Sequence, residues 1–128
     1  LYEKAQHRFS RYQKVDLRYG DSAIELSRIL AEITAPTLFW LDAHYLGDGT
    51  ARSTIDTPIV KELMAISQHH ESNHVILIDD ARLFNGMNDY PKIETCHDLA
   101  AKFWPRHHCV VADDIIRITP RQKQNTAL

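Results

Sequence analysis

Apolar residues recur along this chain in two alternating rhythms. Leu1, Ala5, Phe9 and Tyr12 share one helical face, which predicts an amphipathic helix over Leu1–Tyr12. Val15–Tyr19 then reads Val-Asp-Leu-Arg-Tyr, the two-residue period of a half-buried strand. Gly20-Asp21-Ser22 breaks it. Ser22 with Glu25 three positions on fits a capping box, and Leu26, Ile29, Leu30 and Ile33 make the helical stripe that follows. Pro36 stops that helix, and Thr37–Leu41 is an apolar run short enough for a strand buried on both faces. Asp42–Asp56 is a polar loop with Gly47 and Gly49. Thr57-Pro58 offers a capping hydroxyl and then proline at the first helical position, ahead of the stripe Ile59, Leu63, Ile66. His74–Ile78 is a second buried strand and ends in Asp79-Asp80. A loop through Gly86 and Asn88 leads to Tyr90-Pro91 and the stripe Ile93, Cys96, Ala100, Phe103. Cys109–Ala112 and Ile115–Ile118 are short strands whose junction, Asp113-Asp114, reads as a hairpin turn.

The order is α-β-α-β-α-β-α-β-β. Strands alternating with helices predict an α/β fold with a mostly parallel sheet, helices on both faces and an antiparallel hairpin at the C-terminal end. The chain's 128 residues suit one domain, here 1–120, with a polar tail over 121–128. The first residue is Leu1, already inside a helical pattern, so the chain reads as a piece of a longer protein.

Composition narrows the function classes. Fifteen Lys and Arg against seventeen Asp and Glu give a net charge of −2, which argues against a nucleic-acid partner. A hydrophobic content of 44% with 25% charged residues excludes wholesale disorder. The apolar runs are far shorter than a membrane span and no signal peptide is visible, so a cytoplasmic location without membrane attachment is expected. Two cysteines, Cys96 and Cys109, are too few for a disulfide framework and lack zinc-site spacing.

In an open parallel sheet, ligands bind beyond the carboxyl ends of the strands. Asp21, Asp42 and the pair Asp79-Asp80 all follow predicted strands. If the strands ending in Leu41 and Ile78 are neighbours, Asp42, Asp79 and Asp80 converge, and three carboxylates repel unless a cation lies between them. Oxygen ligands alone favour a hard ion such as Mg²⁺. The alternative is that one of the paired acids caps the next turn and the others face water. His44, two residues past Asp42, has the near-neutral pKa of a general base, and is otherwise a solvated loop histidine. Asp21, where a strand turns into a helix, can accept from an adenine amino group or a ribose hydroxyl, or simply cap the helix. His69, His70, His74 and His97 read as structural or solvated, as do the two cysteines. Trp40 and Trp104 read as packing residues. Gly47-Asp48-Gly49-Thr50 lacks the ending of a phosphate loop.

The sequence Gly20-Asp21-Ser22, then Phe39-Trp40-Leu41-Asp42-Ala43-His44-Tyr45, then Ile76-Leu77-Ile78-Asp79-Asp80, resembles the later part of a class I S-adenosylmethionine-dependent methyltransferase. The ending from Val110 to Ile118 resembles that fold's last two strands. The nearest likeness is to the metal-dependent sugar O-methyltransferases of the macrocin and mycinamicin type. The resemblance covers Leu1–Pro120 and implies a partial Rossmann-like fold whose first two strands, with the glycine-rich loop, are missing. It implies S-adenosylmethionine contacts at Gly20, Asp21, Ser22 and Asp42, with Mg²⁺ held by Asp42, Asp79 and Asp80. His44 would be the base, at a position where several relatives carry an aspartate. The expected partner is a small-molecule hydroxyl acceptor, deprotonated as it attacks the methyl group. A metal-free variant leaves Asp42 lining the cofactor pocket only. Two other classes compete: a catalytically inactive methyltransferase-like remnant, and a metal-binding receiver-like signalling module, to which the strand end Ile76–Asp80 is also similar.

Overall fold

Residues 1–42 and 58–122 are described by the computed structural model. Among them are four helices, α1 (Tyr2–Phe9), α2 (Ser22–Glu32), α3 (Pro58–Ser67) and α4 (Ile93–Phe103). Four strands alternate with them: β1 (Leu38–Leu41), β2 (Val75–Ile78), β3 (His107–Ala112) and β4 (Ile115–Pro120). The sequence pattern therefore locates all but one of its elements. The exception is the strand expected over Val15–Tyr19, which does not form. Val15, Asp16 and Tyr19 are exposed, so water satisfies the backbone that a sheet would otherwise have to pair. The segment is held by side chains: Tyr2 donates its hydroxyl to the Leu17 carbonyl at 3.3 Å, and Arg18 reaches Glu32 on α2 at 2.8 Å. α1 itself buries no residue.

The sheet runs β1-β2-β4-β3. β1 and β2 are parallel, with Leu41 opposite Ile78, while β2–β4 and β4–β3 are antiparallel. The sheet is thus mixed: β1, β2 and β3 point the same way and β4, the returning strand of the expected antiparallel hairpin, runs against them. β1-α3-β2 is a crossover between neighbouring strands, and β2-α4-β3 is a second one whose parallel strands flank β4, which returns from the hairpin to pair with β2. Asp113 and Asp114 turn that hairpin at φ 52° and 61°, the left-handed pair that matches strand twist in a two-residue loop.

The expectation of helices on both faces is not met among the described residues, for a reason visible in β1. Phe39 and Leu41 are buried, whereas Leu38 and Trp40, on the other face, are 59% and 50% exposed. Across the ladder, Phe39, Ile76 and Ile118 form one buried row and Leu41, Ile78 and Ile116 the next. These rows pack with Leu26 and Leu30 of α2, Ile59, Leu63 and Ile66 of α3, Cys96 and Ala100 of α4, and Trp104. The apolar runs in β1 and β2 thus fill one face of a two-layer fold among the described residues. Burial holds the Cys96 thiol up at about 12, leaving it protonated and inert.

At the opposite end of the strands from their acids, His74 is fully buried and ties five segments together. The Thr37 amide, entering β1, donates to His74 Nδ1 at 3.1 Å. That fixes the tautomer, so Nε2–H donates to His69 Nδ1 at 2.9 Å, and His69 Nε2–H in turn donates to the Ile33 carbonyl at the end of α2 at 3.1 Å. His107, opening β3, donates through Nε2 to the His74 carbonyl at 3.0 Å. His69 follows α3 and His74 precedes β2, so the relay joins α2, α3, β1, β2 and β3.

Burial holds His74 below the ordinary histidine pKa, and His69, His107 and His70 add to this while Glu71 opposes it. The unfolded chain takes up a proton at this ring near pH 6.5 and the folded chain does not. Stability is therefore full above about pH 6.5 and falls as pH drops through it toward the lower folded value. Urea unfolding between pH 7.5 and 5 is expected to show a falling midpoint. In His74→Gln the dependence in this window flattens on a lower baseline.

Candidate functional site

The carboxyl end of β1 and the first turns of α2 and α3 surround a cavity of about 640 Å³, within the size range of small-ligand pockets. Its entrance is built at Gly20. There φ is +154°, and a Cβ would lie 3.1 Å from Glu25 Cγ, so only glycine lets the chain pass this close to α2. Asp21 is the N-cap of α2: its Oδ1 accepts from the Ala23 amide at 2.9 Å and the Ile24 amide at 3.3 Å. The capping box expected at Ser22 is displaced by one residue, and Glu25 pairs with Arg28 instead of reaching back to the cap. Ser22 is released by this shift, and its hydroxyl donates to Glu62 Oε1 of α3 at 2.7 Å.

Gly20, Asp21, Ser22 and Asp42, the residues expected to contact a cofactor, all line this one cavity. Leu26, Ile29, Trp40, Leu41 and Ile59 supply an apolar wall. Among the described residues its charged lining is Asp16, Asp21, Glu25, Asp42, Glu62 and Asp89 against Arg18. Arg18 is bound to Asp16 and to Glu32, each at 2.8 Å. The described lining is therefore predominantly acidic. Glu62 is only 6% exposed. Burial is the chief cause of its raised pKa, with the charge of Asp21 adding and the Ser22 hydroxyl opposing. Tyr90 also lines the cavity and is raised first by burial and then by the charges of Asp80 and Asp42. It stays a neutral hydroxyl between the two strand ends.

The parallel pairing of β1 and β2 brings Asp42 and Asp79 to the same sheet edge, where the Asp79 amide donates to the Leu41 carbonyl at 3.0 Å. The three expected metal ligands nevertheless do not gather round a common point. Asp79 Oδ1 accepts from the Asp80 amide at 2.8 Å. Asp80 turns left-handed at φ 56°, ψ 47°, leads into a short 3-10 helix (Ala81–Leu83), and pairs with Arg82 at 2.8 Å. Arg82 is held in turn by Asp114 of the hairpin. Among the described residues no three His, Cys, Asp or Glu side chains are placed to hold a metal ion. These acids therefore do not fit a shared Mg²⁺ as they stand, and Asp80 occupies the N-cap position of the 3-10 helix without a side-chain capping bond. His44, the expected base, lies outside the described residues, as does most of the loop 42–56. The receiver-like alternative needs a lysine on a later strand, and neither β3 nor β4 carries one.

Two contributors were not singled out from sequence. Glu62 lies within the stripe Ile59, Leu63, Ile66 at helical spacing, and a carboxylate inside an apolar face is itself a signal of a buried polar contact. Trp40 reads as packing but is half exposed and forms part of the wall.

Asp21→Ala is expected to cost about 1 kcal/mol, the value of a lost helix cap, whereas Asp21→Asn retains the acceptor and costs a few tenths. Urea denaturation of the two variants separates these outcomes. Compared with family models, with curated proteins and with solved structures, the chain has no match in any of the three.

Proposed function

We propose that the chain is part of an S-adenosylmethionine-dependent methyltransferase and contributes the adenosyl side of its cofactor cavity. The observation that supports this reading is the single cavity that collects Gly20, Asp21, Ser22 and Asp42, two motifs twenty residues apart in sequence. Its chemistry suits the ligand. A flat base needs an apolar slot, which Leu26, Ile29, Trp40 and Ile59 provide. Ribose hydroxyls and an ammonium need acceptors, which the carboxylates provide. Phosphate groups would meet Asp16, Asp21, Glu25 and Asp42 with the guanidinium of Arg18 already engaged, so a nucleoside is favoured over a nucleotide.

Bound there, S-adenosylmethionine supplies an electrophilic methyl group on a positively charged sulfur. The residues of this chain hold and orient. Asp42, at the carboxyl end of β1, carries negative charge toward the cavity from the sheet edge. Tyr90 keeps a neutral hydroxyl beside it and bounds the cavity toward β2, where an acceptor molecule can approach. His44 is the candidate to take the acceptor's proton. Because Asp42, Asp79 and Asp80 do not form a metal centre as placed, the metal-free form of the reaction is the one proposed.

Trp40 is the half-exposed tryptophan of the cavity wall, whereas Trp104 is buried in the core. Titration with S-adenosylhomocysteine is expected to change the emission of Trp40 saturably, unchanged by a chelator and lost in Trp40→Phe. ATP should bind about tenfold more weakly or worse, because like charges brought together in an interface cost several kcal/mol. Tighter binding of ATP than of S-adenosylhomocysteine would overturn the reading, as would a strict requirement for added Mg²⁺ in its metal-free form.

A further inference from the structure

The deepest polar group in the cavity is Glu62. Its surroundings differ from those of the other acids. Asp21 and Asp42 are exposed, whereas Glu62 is buried, as are Ile59 and Leu26, which line the same cavity. Ser22 fixes its carboxyl through Oε1 at 2.7 Å. Glu62 lines the cavity, and among the described residues the hydrogen bond to its carboxyl is this one at Oε1. A buried carboxylate with acceptor capacity left over is matched by a hydrogen-bond donor on the ligand.

We propose that the Ser22–Glu62 pair determines base specificity in this cavity, with Glu62 Oε2 accepting a hydrogen bond from the exocyclic amino group of a purine. The assignment rests on the reading of the cavity as an adenosyl site and adds to it the residue that reads the base. Asp21 is left the capping role that its contacts show, and Ser22 acts as a positioning residue. Among the described residues, the charged and titratable groups that line the cavity with Glu62 are Asp21, whose charge acts on it directly, and Glu25 from α2, and Asp42 from the end of β1. Asp89 and Tyr90 come from the loop before α4, and Asp16 and Arg18 from the segment before α2. All but Arg18 and Tyr90 are carboxylates, and Arg18 is bound to Asp16 and Glu32. The ligand's donor is therefore the complement that Glu62 lacks. Burial raises the Glu62 pKa, so acidification neutralises the carboxylate and weakens the acceptor.

The test is a titration of the chain with adenosine and with purine riboside, which lacks the amino group. Wild type is expected to prefer adenosine by about tenfold or more, the range of a hydrogen bond to a charged group. Glu62→Met, which suits the apolar stripe around it, should bind the two equally. Its unfolding midpoint shows that it folds. Ser22→Ala, which leaves the carboxyl but frees it, should show a reduced preference. Adenosine affinity should rise in wild type between pH 5 and 7.5 and stay flat in Glu62→Met. Equal binding of the two nucleosides by wild type, retained preference in Glu62→Met, or affinity that falls with pH would each overturn the assignment, as would no binding of adenosine at all. S-adenosylhomocysteine separates the two levels. If it binds while adenosine and purine riboside are equal, the methyltransferase reading stands and Glu62 does not read the base. If it fails to bind while adenosine is preferred, the reverse holds.

Discussion

Both ring nitrogens of His74 are committed, and most of the architecture hangs on that fact. A buried imidazole must be neutral and must satisfy one donor and one acceptor. Here the acceptor takes the amide that starts β1 and the donor passes through His69 to the carbonyl that ends α2. The ring also meets Phe39 edge-on at 5.1 Å between centroids, so the polar relay is continuous with the apolar core. It ties the end of α2 to the start of β1, and the cavity lies at the opposite end of the same two elements.

The cavity is likewise a consequence of helix termini. α2 and α3 both begin at the carboxyl end of β1, where unpaired amides favour negative charge. Asp21 answers this at α2 by capping. Glu62, one turn into α3, is too deep to reach the first amides and meets the Ser22 hydroxyl instead. The acid-rich lining follows from placing two helix starts beside a strand end, and the apolar wall follows from the stripe that each helix needs for the core.

The sequence made the helices and most strands legible because their apolar spacing is regular and their ends carry strong signals: Pro36, Pro58 and the pair Asp113-Asp114. It misled at Val15–Tyr19, because alternation records only that one face could be buried, and nothing in these residues says whether a neighbouring strand exists to bury it. The same limit explains the uncovered face of β1. Leu38 and Trp40 look like core in a run of apolar letters, and only the pairing shows that their side of the sheet lacks a helix among the described residues. At the site, Asp42 was legible as a strand-end residue and Gly20, Asp21 and Ser22 as the break before a helix, whereas the partnership of Ser22 with Glu62 spans forty positions and leaves no local trace. The carboxylates of Asp79 and Asp80 were legible both as ligand candidates and as turn residues, whereas the pairing of Asp80 with Arg82, itself held by Asp114, comes from outside the motif.

β2 lies between β1 and β4, with Ile76 and Ile78 fully enclosed, while α1 buries nothing. The chain is therefore graded in permanence from its centre outward. Amides of β2 can meet solvent only when the sheet itself comes apart, and those of α1 need no more than the fraying of one exposed helix. The residues that close the cavity from the Asp16–Arg18 side belong to the quickly opening end, held by the Arg18 ion pairs and the Tyr2 hydroxyl. Its floor, at Ile59 and Glu62, rests on the core. A molecule entering this cavity thus meets one wall that yields on the timescale of local fraying and another that yields only with the whole fold.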